Sequence, residues 1–86
     1  MKAYTVIKNP LATEKAVKIM ETENKLVFIV EPKATKREIK EAIEEVFKVK
    51  VKKVSTLRTL KGKKKAYATL EKSTPAVDVA TQLGLM

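Results

Sequence analysis

Residues 48–65 read KVKVKKVSTLRTLKGKKK, a segment that combines a strand-like pattern with a dense positive charge. Apolar residues interrupt the cations, and Gly62 stands between two basic arms, as a hairpin turn requires. Nine of the 19 Lys and Arg residues lie here, without a single Asp or Glu. The rest of the chain has ten basic and ten acidic residues, so this segment supplies the whole formal net charge of +9. We therefore predict a basic hairpin that contacts a polyanion.

The two arms of this hairpin differ in regularity. In the first arm Val49 and Val51 share one parity and Val54 takes the other, which predicts a bulge or bend near Lys52-Lys53. The second arm, residues 63–71, alternates regularly, and two strands joined near Gly62 should be antiparallel. Its small and apolar residues on one face are Ala66, Ala68 and Leu70, and on the other face are Lys65, Tyr67 and Thr69.

Three shorter elements precede the hairpin. The β-branched run in Ala3–Lys8 predicts an edge strand, which Asn9-Pro10 should stop. Thr13 is placed to cap a first helix that ends near residues 21–24. The unbroken apolar run in Lys25–Glu31 predicts a central strand covered on both faces.

The second helix has the clearest signal in the chain. Thr35 and Glu38 have the spacing of a capping box, and one apolar face follows. That face comprises Ile39, Ala42, Ile43, Val46 and Phe47. A last short helix should begin with Thr74 as cap and Pro75 as its first residue, continue with an apolar face, and end at Gly84. Its apolar face would comprise Ala76, Val77, Ala80 and Leu83.

These elements predict one domain over residues 1–86 with the order β-(α)-β-α-β-β-α. Separate strands and helices with a hairpin near the end indicate an α+β fold, an antiparallel sheet of about four strands with helices packed on it.

Composition excludes several classes of function. The chain has no Cys and no His, so disulfides, thiolate or zinc sites and catalytic triads are ruled out, and we expect no enzyme activity, no metal, no cofactor and no small-molecule substrate. The longest apolar run, residues 26–30, is far below the roughly 20 residues that span a bilayer, so we expect no membrane insertion. A cytoplasmic protein is the natural interpretation.

The cations of residues 48–65 favour RNA as the polyanion. Lysines outnumber the single Arg58 by eight to one, which favours neutralisation of phosphates over bidentate reading of base edges. Only Tyr67 among the aromatic residues lies next to the basic arms, so shape-driven binding to structured RNA fits better than stacking of many bases. A solvated basic edge that prevents aggregation is the alternative, although one or two lysines would suffice for that.

Three passages then carry a family resemblance. They are Val6-Ile7-Lys8-Asn9-Pro10 with Thr13-Glu14-Lys15-Ala16, Asn24-Lys25-Leu26-Val27-Phe28, and Lys64-Lys65-Ala66-Tyr67-Ala68-Thr69-Leu70. Nearly the whole chain resembles the ribosomal large-subunit protein twenty-three family in its archaeal and eukaryotic form. The chain departs from that family at Ala68, where Ile or Val is usual.

The resemblance implies a structural constituent of the large ribosomal subunit beside the peptide exit tunnel, in contact with large-subunit rRNA. It also implies two protein neighbours, ribosomal protein twenty-nine and the signal recognition particle at the tunnel exit. In bacterial members a glutamate that docks a chaperone matches Glu14, which is otherwise a helix-start acid favourable to the dipole. Bacterial members also carry a long hairpin tip, for which residues 60–63 leave no room.

The candidate rRNA-binding residues follow from both lines of reasoning. The basic segment contributes Arg58, Lys61, Lys63, Lys64 and Lys65, then Lys48, Lys50, Lys52 and Lys53, while family position adds Lys8 and Lys15. Two other hypotheses stay open. A phosphate-ester hydrolase on a ferredoxin-like scaffold would need a glycine-rich phosphate loop, but the chain has only two glycines. The other hypothesis is a free-standing RNA-binding module, or a protein-docking module that uses the acidic outer face of the second helix.

Overall fold

The computed structural model describes residues 3–11, 13–59 and 61–82, and side chains from residue 5 onward within these ranges. The elements are α1 (Ala3–Val6), β1 (Ile7–Pro10), α2 (Glu14–Glu23), β2 (Lys25–Val30), α3 (Lys36–Phe47), β3 (Val51–Arg58), β4 (Lys64–Leu70) and α4 (Ala76–Gln82). The strands form one antiparallel sheet in the order β1-β2-β4-β3. The predicted α+β class and order of elements are confirmed, with one extra helical turn, α1, before β1.

The core lies between the helices and one face of the sheet. Side chains of alternate strand residues point to this face, because successive residues of a strand point to opposite sides. The two central strands supply Leu26, Phe28 and Val30 from β2 and Ala66, Ala68 and Leu70 from β4, all buried. The rings of Phe28 and Phe47 stack with centroids 5.3 Å apart, which joins β2 to the end of α3. The helices that bury this face form one layer, whereas most side chains of the opposite face are half-buried or exposed.

Helix α3 starts as predicted. The hydroxyl of Thr35 accepts from the amide of Glu38 at 3.2 Å, and the carboxylate of Glu38 accepts from the amide of Thr35 at 3.1 Å. This capping box satisfies two amides that the helix itself cannot pair. Val46 was predicted to be buried but is 44% exposed. The helix ends one residue later, at Phe47, and it is the ring of Phe47 that packs on Phe28.

One asparagine joins three elements. Asn24 ends α2 in the left-handed conformation, with φ of 55°. Its side-chain amide donates to the carbonyl oxygens of Leu70, Glu71 and Thr74 at 3.2, 3.2 and 3.3 Å. Its Oδ1 accepts from the amide of Ala76, the first residue of α4, at 2.6 Å. The α2–β2 junction is thereby tied to the β4–α4 junction.

Both edge strands are interrupted by a one-residue irregularity at a lysine. In β3 the register shifts between Val51 and Lys53, which confirms the predicted bulge near Lys52-Lys53. In β1 the register shifts between Ile7 and Asn9, with Lys8 between them. Bulges and lysines at sheet edges both discourage pairing with further strands.

Two expectations about the chain ends need correction. Residues 3–6 form a helical turn and the first strand begins at Ile7 and runs to Pro10 instead of stopping at Lys8. Packing of Val6 into the core, where it is 1% exposed, outweighs the β propensity of that run. In α4 the oxygen that accepts from Ala76 belongs to Asn24 and not to the predicted cap Thr74, and Val79 is buried in addition to the predicted face. Leu60, Leu83 and Gly84 lie outside the described residues.

Candidate nucleic-acid interface

Three rows of side chains cross the face of the sheet opposite the helices, which we term the open face. Cross-strand pairing sets the rows, since paired residues of antiparallel strands point to the same side. The rows are Asn9-Ile29-Lys65-Leu57, then Val27-Tyr67-Ser55, then Lys25-Thr69-Lys53. The open face thus has apolar and aromatic side chains near its centre and lysines around them.

A groove lies at the end of the open face next to the hairpin turn. Its volume is about 460 Å³, and we term it the hairpin groove. One wall is the segment between β1 and α2, and the other is the turn between β3 and β4. The lining residues are Asn9, Leu11, Thr13, Ile29, Thr59, Lys61, Lys63 and Lys65. Among the described residues, three ammonium groups and no carboxylate therefore border this groove.

The structure separates two of the predicted cations from the others. Arg58 pairs with Lys64 across the hairpin, and both have the parity of Ala66, on the helix side. The Nζ of Lys64 donates to the carbonyl oxygen of Ala34 at 2.7 Å, and Nη2 of Arg58 donates to that of Pro32 at 3.4 Å. These two side chains hold the loop between β2 and α3. Lys63 and Lys65, with the opposite parity, belong to the open face.

The predicted cations of residues 48–53 lie at the far end of β3 from the turn. Lys48 ends α3 in the left-handed conformation, and Lys50 and Lys52 are exposed. Lys52 borders a second groove of about 580 Å³, which Glu23 and Glu71 also line. The carboxylates there oppose the binding of phosphate, whereas Lys53 is exposed on the open face, in the row of Thr69.

The residues suggested by family position have different surroundings. Lys8 forms an ion pair with Glu31 at 3.4 Å on the β1 edge. Lys15, near the start of α2, lines a narrow cleft together with Lys65 and Tyr67, so it adjoins the open face. Glu14 is exposed as the first residue of α2.

The cations of residues 48–65 are electrostatically unpaired within the described chain. The ion pairs of the described residues are Lys8–Glu31, Lys25–Glu23 and Arg37–Glu41, and all of them lie outside this segment. The open face, with its unpaired lysines, is therefore suited to a polyanion.

Among the described residues no group of three potential metal ligands occurs, and no described helix is long and apolar enough to cross a membrane.

Comparison with known proteins identifies the kind of chain that carries this surface. A family model described as ribosomal protein L23 matches residues 5–80. The chain belongs to the ribosomal protein L23 family. The large ribosomal subunit proteins uL23 of Methanococcus aeolicus and Methanococcus maripaludis are each 51% identical to it over 85 residues, 99% of this chain and of each relative. Membership of the L23 family confirms the resemblance and agrees with the prediction of a protein that is not an enzyme.

The passages that indicated the L23 family fall on neighbouring strands. They cover β1, the Asn24 junction with most of β2, and the whole of β4, which are consecutive in the sheet. Sequence reasoning missed three residues that line the hairpin groove in this member of the L23 family. They are Ile29 in its floor and Leu11 and Thr13 in its first wall. The parity of Ile29 with Lys25 along β2 was a signal for the floor, but the wall depends on how the segment before α2 folds back.

Proposed function

We propose that this protein is a structural constituent of the large ribosomal subunit, in the cytoplasm, and that it binds large-subunit rRNA through its open face. The observation that carries the proposal is the set of unpaired lysines on this face and at the hairpin turn. Lys53, Lys61, Lys63 and Lys65 are the first contacts we assign, with Lys15 beside them. The names of the Methanococcus relatives, large ribosomal subunit proteins, support the same assignment.

The physical driving force is release of counterions from RNA. Each lysine that neutralises a phosphate lowers the slope of log affinity against log salt by about 0.7 to 0.9. Ammonium groups without a carboxylate partner lose no ion pair on binding, so their full charge is available to phosphates. Lys8 would have to exchange its contact with Glu31 and is therefore a weaker candidate.

The open face is preferred over the helix side because its surface is amphipathic. Ile29, Tyr67 and Leu57 offer apolar area between cations, which suits bases and riboses as well as phosphates. On the helix side the strand residues are buried by α-helices, and Arg58 and Lys64 are committed to loop carbonyls. We therefore assign these two a positioning role.

The finer features of the proposal concern protein neighbours. On the family resemblance, we extend the proposal to a place near the peptide exit tunnel and to contact with ribosomal protein twenty-nine. We also extend it to help in forming the docking site for the signal recognition particle and other nascent-chain factors. Exposure of Glu14 at the start of α2 supports its use as a docking acid. The hairpin turn is closed by the amide of Thr59 donating to Lys63 at 2.8 Å, which supports an anchor without a long tip.

The test is a filter-binding titration with large-subunit rRNA transcribed in vitro. Replacement of Lys61, Lys63 and Lys65 by Glu should reduce the magnitude of the salt slope by about 2 to 3 and abolish binding at physiological salt. The matched control replaces Lys33, Lys36 and Lys40, all exposed on or beside α3, and changes the net charge equally.

The comparison of the two triple variants decides the assignment. If both weaken binding equally, the effect is one of net charge and the open face is not the site. If the open-face variant binds like the unmodified protein, the proposal fails. Retention of protein partners after RNase treatment would instead support the protein-docking alternative.

A further inference from the structure

The hairpin groove differs from a plain basic patch because its floor is apolar. Ile29 and Leu11 are half-buried and line the groove, whereas Lys61, Lys63 and Lys65 border it. Its volume of about 460 Å³ lies within the roughly 300–1,000 Å³ of pockets that hold small molecules. An apolar floor between cations needs a ligand with both an apolar surface and negative charge.

Both walls of the groove are held by hydrogen bonds. The amide of Leu11 donates to the carbonyl oxygen of Val27 at 2.9 Å, which ties the first wall to β2. In the other wall the hydroxyl of Thr59 accepts from the amide of Lys63 and donates to its carbonyl oxygen, both at 3.2 Å. The groove is therefore formed before a ligand arrives, which reduces the ordering cost of binding.

Paired RNA and unpaired RNA would use this groove differently. A continuous duplex presents phosphates and 2′-hydroxyls outward and keeps its base faces stacked, so it would leave Ile29 and Leu11 against polar groups. An unstacked nucleotide exposes the flat face of its base, which can pack on apolar side chains while its phosphates meet the lysines. The chemistry of the lining favours the unstacked nucleotide.

Two polar side chains could meet the edge of such a base. Asn9 donates through Nδ2 to the carbonyl of Pro10 at 3.3 Å, and its Oδ1 has no hydrogen bond within the described residues. The hydroxyl oxygen of Thr13 accepts from the amide of Ala16 at 3.2 Å, so its proton can still be donated. One acceptor, on β1, and one donor, on the first wall, thus border the groove.

We infer that the hairpin groove receives one unpaired nucleotide of the bound RNA, its base against Leu11 and Ile29 and its phosphates against Lys61, Lys63 and Lys65. The inference rests on the proposed function, because it names the RNA feature that the same site takes.

The experiment compares two short RNA duplexes that are identical except for one unpaired 2-aminopurine nucleotide in the second. Fluorescence anisotropy of the full chain should show at least about fivefold tighter binding to the bulged duplex, the lower end of what one base contact contributes. The fluorescence of the 2-aminopurine should change on binding, since the base leaves water for the groove.

Variants assign the preference to the groove. Leu11→Ser should remove it while affinity for the perfect duplex stays within about twofold, because phosphate contacts remain. Ile29→Thr, which keeps the branched shape suited to a strand, should do the same and serves if Leu11→Ser does not fold. The control is Leu57→Ser, which alters a 55% exposed residue of the same row outside the groove.

The outcomes separate the two proposals. Equal binding of both duplexes with a steep salt dependence overturns the nucleotide site and leaves the open-face function intact. Equal loss of the preference in Leu11→Ser and Leu57→Ser also overturns it, since the base would then lie elsewhere. Failure to bind either duplex or large-subunit rRNA refutes the proposed function itself.

Discussion

Replacement of Asn24 tests whether one side chain holds the two chain junctions together. Its amide protons are shared among three carbonyl oxygens and its oxygen accepts from Ala76, which amounts to about three hydrogen bonds. At about 0.5 to 1.5 kcal/mol each, with some replaced by water, Asn24→Gly should reduce the free energy of unfolding by about 2 to 3 kcal/mol. A chain of this length is stabilised by about 4 to 13 kcal/mol in total.

The backbone conformation of Asn24 adds a second, separable effect. Glycine adopts the left-handed region without cost, whereas alanine there costs roughly 1 to 2 kcal/mol. Asn24→Ala should therefore be less stable than Asn24→Gly by about that amount. Lys48, the other described non-glycine residue in this conformation, is the control, since it is exposed and Lys48→Gly should be neutral or stabilising.

Urea unfolding followed by circular dichroism gives these free energies directly. In a thermal melt, Asn24→Gly should lower the melting temperature by about 10 to 20 °C, given the 4 to 8 °C per kcal/mol usual for small domains. An Asn24→Gly variant within about 0.5 kcal/mol of the unmodified protein would refute the reasoning, because the hydrogen bonds would then contribute no more than water does.

Three further predictions follow from single residues. Lys65→Met should reduce the magnitude of the rRNA salt slope by nearly one. Lys64→Met should leave the slope unchanged and lower the urea midpoint, because Lys64 donates to the carbonyl oxygen of Ala34. Equal slopes for both variants would contradict the separation of the two faces. The amide of Thr35 donates to Glu38 and lowers the pKa of its carboxyl below the ordinary 4.5, so this stabilisation is present above pH 4.5 and is lost as the pH falls through the lowered pKa. Glu38→Gln should therefore show a shallower loss of the urea midpoint under acid, and an unchanged acid profile would contradict this. Gly62→Ala should cost about 1 kcal/mol by chemical denaturation, from its φ of 78° alone, since an added Cβ meets nothing within 4 Å; a much larger loss would show that the turn is more crowded than described.

Local sequence signals were sufficient wherever neighbours in the chain decide the structure. The capping box of Thr35 and Glu38 and the alternation of Ala66, Ala68 and Leu70 are written in spacing alone, and both were predicted correctly. The bulge in β3 was also visible, because a slip of parity has to be absorbed somewhere.

Contacts between distant residues were beyond those signals. The helical turn before β1 depends on burial of Val6, and the first turn of α4 depends on Asn24, 52 residues earlier in the chain. The candidate site shows the same division. Most of its cations were among the predicted contacts, although Lys25 of the open face was not, and the separation of the predicted cations onto two faces required the register, even though Lys64 shares the parity of Ala66.

The bulge at Lys52 has a consequence for how this chain tolerates changes of length. Val51 pairs with Leu70 and Lys53 pairs with Thr69, so a chain that lacks Lys52 can close into a regular ladder with the same partners. Removal of Ser55, further along β3, would instead turn every later side chain of the strand to the opposite side. Single-residue deletions in related sequences should therefore accumulate at position 52 and be absent from the rest of the strand.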